Sequence, residues 1–141
     1  MTKRFFFLTT IFISFFFFTS MKSAREWTLY KSVDGVAIYT KIESNTFNNV
    51  VTNYQVFKYE NTNKYEVKVS WKLNLWYNGV CRACDFPSPN EYEMKLLMKA
   101  GEIQEGKADS ESKIFAVFQS SEGIAPLDKF EFENLTISAK K

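Results

Sequence analysis

Between residues 65 and 77, Tyr65, Val67, Val69, Trp71, Leu73, Leu75 and Tyr77 alternate with Glu66, Lys68, Ser70, Lys72, Asn74 and Trp76. A period of two puts the first set on one side of an extended chain and the second on the other, which a helix of about 3.6 residues per turn cannot do. The segment therefore reads as a long strand with one buried face, broken only by Trp76 among the polar positions. Asn78-Gly79 follows and supplies residues that tolerate positive φ in a tight turn.

The same logic runs through the rest of the chain. Residues 27–31 and 36–42 flank Asp34-Gly35 as a hairpin whose second strand buries Val36, Ile38 and Ile42. In 49–59, Val50, Val51, Val56, Phe57 and Tyr59 fall on both faces, as in a central strand covered on each side or a strand with a bulge. Asn61-Thr62-Asn63 reads as a turn. Residues 91–98 set Tyr92, Met94, Leu96 and Met98 on one side, and 114–118 and 130–137 complete the set. The last run changes parity at Glu133-Asn134, where Phe130 and Phe132 give way to Leu135 and Ile137, so a bulge is expected there. About seven strands, mostly antiparallel and each with one solvated face, define an all-β fold: an antiparallel β-sandwich, immunoglobulin-like or related.

This domain is expected over residues 25–141. Before it, Lys3 and Arg4 precede an apolar run over 5–18 that ends at Thr19, Ser20 and Lys22, the layout of a secretory signal peptide over 1–24. The run is shorter than the roughly 20 residues a spanning helix needs, so no membrane span is expected after cleavage behind Ala24. Lys3, Arg4 and Lys22 belong to the leader, and without them the 18 basic residues fall to 15 against 16 acidic ones. The mature chain lacks the basic surplus that nucleic acid or an anionic membrane would require. Export places it in the periplasm, at the cell surface or outside the cell.

The chain has no histidine. Triads built on imidazole, histidine-ligated zinc and a switch near neutral pH are excluded together. Cys81-Arg82-Ala83-Cys84 resembles a redox motif in spelling, but Pro87 and Pro89 deny it the helix N-terminus that activates such a thiol. A local structural disulfide between Cys81 and Cys84 is the expectation for an exported chain. Residues 101–108, G-E-I-Q-E-G-K-A, fall one residue short of a phosphate-binding loop, because Ala108 stands where a magnesium-binding hydroxyl belongs. They read as a polar hairpin loop. Glu91 with Glu93, and Glu131 with Glu133, stand two apart on solvated faces and read as outer charges rather than as an acid and base. No catalytic residue, metal ligand or cofactor is expected. Trp71 belongs to the core by parity, whereas Trp76, Tyr54 and Phe115 lie on the less apolar parity and form the candidate ligand surface.

Trp27, Asp34-Gly35-Val36 and Tyr39 are similar to the opening of START-type lipid-binding domains, but such a domain closes with a long C-terminal helix, and 130–139 alternates like a strand. A wider resemblance adds Val69-Ser70-Trp71, Leu75, Tyr77-Asn78-Gly79, the cysteine loop, Gly101-Glu102 and Ile114-Phe115. In this order the chain resembles small exported β-sandwich proteins of Bacteroidetes type, whose function is unknown; the resemblance implies fold and export and brings no catalytic residues. The expected role is a noncatalytic interaction or structural module with a protein or glycan partner at the cell envelope. A carbohydrate-binding module using exposed aromatics is the alternative, with a thiol-disulfide enzyme third. Coplanar solvent-facing rings would favour sugar, and scattered rings a generic module.

Overall fold

Every strand-like segment read from the sequence is a strand in the computed structural model, which describes residues 26–84 and 91–140. The leader and the proline run behind Cys84 lie outside the described residues. The elements are β1 (Thr28–Val33), β2 (Val36–Phe47), β3 (Val50–Asn61), β4 (Val67–Tyr77), β5 (Val80–Cys81), β6 (Glu93–Met98), β7 (Ile103–Glu105), β8 (Ala116–Ser121) and β9 (Leu127–Ala139). Among the described residues none is helical. All pairings are antiparallel, in two sheets. One runs β1-β2-β3, with β7 and β8 end to end along the far edge of β3. In the other, β4 is central, with β9 on one edge and β5 and β6 sharing the other.

The inner faces meet in one core. Val67, Val69, Trp71, Leu73 and Leu75 on β4 are all buried, as their alternation requires. Met94, Leu96 and Met98 continue the face on β6. Phe57 packs edge-on against Phe130 and Phe132, each with centroids 5.3 Å away. Trp71 lies between Tyr59 at 5.5 Å and Phe132 at 5.2 Å. Such ring pairs add to the free energy of area burial by about 0.5–1.5 kcal/mol each. The bulge expected on the last strand is present: the β4–β9 register slips between Ser70 and Lys72, and Asn134 takes a φ of 53°. That slip lets Phe130 and Phe132 and then Leu135 and Ile137 reach the same core from opposite parities.

Four expectations need correction. The 101–108 segment is not a hairpin loop: residues 99–102 turn the chain from β6 in one sheet to β7 in the other, and β7 pairs with Lys58–Glu60 on β3. Three residues are too few to display a period, so only the vacant edge of β3 makes this a strand. The β2–β3 hairpin is longer than 36–42 and 49–59 imply, because Asn48 and Asn49, with φ of 47° and 64°, form its two-residue turn. Its tip carries polar Ser44, Asn45 and Thr46 and escapes an apolar periodicity because all residues from 44 to 51 are exposed. Ile42, expected in the core, is 39% exposed, and Tyr65 precedes β4 and is 52% exposed.

Candidate functional site

The two ends of the sandwich differ in chemistry. At one end the Asp34-Gly35 turn, the 61–63 turn and the 99–102 crossing are bound together by polar side chains. Asn61, fully buried, donates through Nδ2 to the carbonyls of Tyr65 at 3.0 Å, Met98 at 3.4 Å and Lys99 at 2.9 Å. Its Oδ1 accepts from the backbone N–H and Nδ2 of Asn63, both at 3.0 Å. Asn63 Nδ2 and Thr62 Oγ1 reach back to the carbonyls of Asp34 and Gly35. Gly35 must be glycine, since its φ is 76° and a Cβ there would come within 2.5 Å of Asn63 Oδ1.

The opposite end gathers the Asn48-Asn49, Asn78-Gly79 and Glu122-Gly123 turns. Ser121 pairs with Thr52, Tyr77 Oη donates to the Phe118 carbonyl at 2.8 Å, and the Gly79 N–H donates to Asp128 at 2.7 Å. Here apolar side chains stand in solvent: Phe47 is 75% exposed, Val80 and Ile124 58%, Val50 and Val51 51%. An open cleft of about 430 Å³ has Tyr30, Ile42, Leu127 and Phe130 as its apolar lining. Gln55 and Gln119 add two amides to it. Each spends its N–H on the protein: Gln55 on Thr40 Oγ1 and the Lys41 carbonyl, Gln119 on the Leu127 carbonyl. Tyr30 stacks on Phe130 at 4.9 Å, and burial raises its phenol pKa above the ordinary value, partly offset by a backbone hydrogen bond at Phe132.

Cys81 and Cys84 are bridged, with Sγ atoms 1.99 Å and Cα atoms 5.7 Å apart. Cys81 ends β5 opposite Trp76, and the bridge closes a tight turn at the edge of a sheet. Lys72 Nζ donates to the Cys84 carbonyl at 3.2 Å and fixes the turn to β4.

The three candidate rings occupy three different places. Trp76 lies on the outer face of the β4 sheet under Lys129 Nζ, 4.5 Å from its centroid. Tyr54 lies on the outer face of the other sheet, between Glu43 on β2 and Phe118 on β8. Phe115 packs edge-on against Tyr59 at 6.0 Å, at the margin of the core. Its carbonyl accepts from Phe57, and Gly106 passes so close that a Cβ would sit 2.2 Å from that oxygen. A further cluster went unread in the sequence: Lys58 Nζ lies 4.9 Å from the Trp27 centroid and 4.6 Å from that of Tyr39, and Lys41 lies 4.5 Å from Trp27. Trp27 precedes the strand it serves, so no periodicity marks it. The carboxylates Glu91, Glu131 and Glu133 pair with Lys113, Lys129 and Lys72 on the surface.

Together these observations define an all-β sandwich of two antiparallel sheets with a clipped turn, one end sealed by amides and one end open and apolar. Among the described residues no helix is long and apolar enough to cross a membrane. No protein-family model matches the sequence, and no curated protein or solved structure matches it.

Proposed function

We propose that this protein is an exported, noncatalytic interaction module of the periplasm or cell surface, and that a protein partner docks at the open end of the sandwich. The observation that carries this is the exposure of Val51, Val80 and Ile124 on the turns of one end, with Phe47 and Val50 on the outer face of the same β2–β3 tip, while the opposite end is bound together by the Asn61 hydrogen bonds. Exposed apolar surface gathered at one end of a domain is what a contact site offers. The dispersal of Trp76, Tyr54 and Phe115 supports this role over a sugar platform, which needs rings side by side. Export is supported by the basic and apolar leader, and a disulfide suits an oxidising compartment.

Photo-reactive benzoylphenylalanine placed at Val80 or at Gln119 in the host should yield a discrete covalent adduct with one protein. The same probe at Leu97, an exposed apolar residue of β6, should not. Equal adducts from all positions, or none from Val80 and Gln119, would remove the docking site. Export is read by intact mass, with a chain starting near Arg25 expected and an intact leader in the cytosol counting against it.

A further inference from the structure

Among the described residues, the outer edge of β2 is paired with no strand beyond Thr40. In a two-residue hairpin turned by residues of positive φ, the pair flanking the turn is hydrogen-bonded, and bonded pairs then recur at every second residue. With Phe47 opposite Val50, the N–H and C=O groups of Phe47, Asn45, Glu43 and Lys41 face β3, and those of the even-numbered residues of β2 face away. Val36, Ile38 and Thr40 use that outward side to pair with β1, whose last partner is Thr28 opposite Thr40. The main-chain groups of Ile42, Ser44 and Thr46 meet no strand among the described residues, and the chain bends at Glu26, just before β1.

Other edges carry the devices that block strand addition. The β1 register is interrupted between Leu29 and Lys31, β9 has two irregularities, and β6 displays Glu93 and Lys95. The β2–β3 ladder is unbroken from Val36 to Phe47, and Ser44-Asn45-Thr46 offers neither charge nor proline. We infer that this edge pairs antiparallel with the same edge of a second copy, across a twofold axis at Ser44, joining the two β1-β2-β3 sheets into one.

The register supports that occupant. Centred on Ser44, the pairing sets Ser44 against Ser44 and Ile42 against Thr46, so each outward N–H and C=O of one copy finds its complement in the other. Glu43 falls opposite Asn45, and Lys41, whose ammonium already lies over the Trp27 ring, falls opposite Phe47, with no like charges opposed. A centre one residue earlier opposes Glu43 to Glu43, and a centre one residue later leaves Ile42 without a partner. This pairing is independent of what fills the cleft, because it uses main-chain groups and not the cleft side chains.

The full chain, purified after expression with its own leader, should sediment as a dimer at micromolar concentration. Ser44→Pro removes one outward N–H and leaves the β2–β3 ladder intact, so it should give a monomer with an unchanged circular dichroism spectrum. Ser44→Cys provides a test that does not depend on that variant folding. The Cα atoms of a bonded antiparallel pair are about 5.5 Å apart, within disulfide range, so mild oxidation should give a covalent homodimer. Thr46→Cys should not cross-link, since its counterpart lies roughly 13 Å further along the strand. A monomer at all concentrations, equal cross-linking by both variants, or an edge filled instead by the segment before Glu26 or by a foreign peptide would overturn the inference. Loss of the dimer would leave the Val80 and Gln119 adducts intact, which separates this failure from that of the docking proposal.

Discussion

Asn61 is where the fold is most exposed to a single change, and two substitutions there separate hydrogen bonding from charge. Asn61→Ala deletes three donations to main-chain carbonyls and two acceptances from Asn63. The bond to Met98 is buried, whereas the partners at Tyr65, Lys99 and Asn63 lie partly in reach of water. One buried group left unsatisfied costs about 1–3 kcal/mol, and weaker losses at the rehydrated groups bring the total to about 2–4 kcal/mol. Asn61→Asp keeps the shape but turns an anionic oxygen toward three carbonyl oxygens, and an uncompensated buried charge costs about 3–5 kcal/mol. At pH 7 stability should therefore fall from wild type to Asn61→Ala to Asn61→Asp. The new carboxyl would have a folded-state pKa raised above its unfolded value of about 3.9, so its deficit is fully present at neutral pH and shrinks as pH falls through the raised value. Guanidinium titrations at pH 7 and pH 4 measure both effects. Losses under about 0.5 kcal/mol for either variant, or an Asn61→Asp deficit that grows on acidification, would refute the assignment of Asn61 as the hub of the sealed end.

Trp71→Ala should cost about 3–5 kcal/mol in the same titration, because it empties the space between Tyr59 and Phe132; Lys72→Ala, which loses the half-exposed contacts to Cys84 and Glu133, should cost only about 0.5–1 kcal/mol. Replacing Cys81 and Cys84 together by Ser should leave a folded protein, destabilised by less than the roughly 3 kcal/mol of a 15-residue loop, and the wild type should show no insulin-reducing turnover. Alkali should unfold the domain through Tyr59, whose burial holds its phenol well above the ordinary 10.0. Above that pH the unfolded chain loses a proton the folded chain keeps, so stability declines with rising pH, and the phenolate absorbance of Tyr59 should appear only with loss of the folded signal.

What the sequence determined by itself is the alternation. Period two in β4 and β6, the parity change at Glu133-Asn134 and the burial of Trp71 are legible because each depends on which side of one strand faces apolar surroundings. The cysteine spacing and the absent histidine bounded the chemistry in the same local way. Tertiary structure alone decided which strands became neighbours. β5 and β7 are strands only because β4 and β3 had vacant edges, Gly106 is required only by the Phe115 carbonyl brought against it, and Asn61 is a hub only because the 99–102 crossing lies over it. Trp76, Tyr54 and Phe115 share a parity class in the sequence yet end on two outer faces and at the core margin, since parity says which way a side chain points and nothing about what another sheet places in front of it. The open end is of the same kind: the turns that carry Phe47, Val51, Val80 and Ile124 are far apart in the chain, and their falling at one end of the sandwich follows from the pairing of β3 with β8 and β4 with β9, which no local pattern encodes.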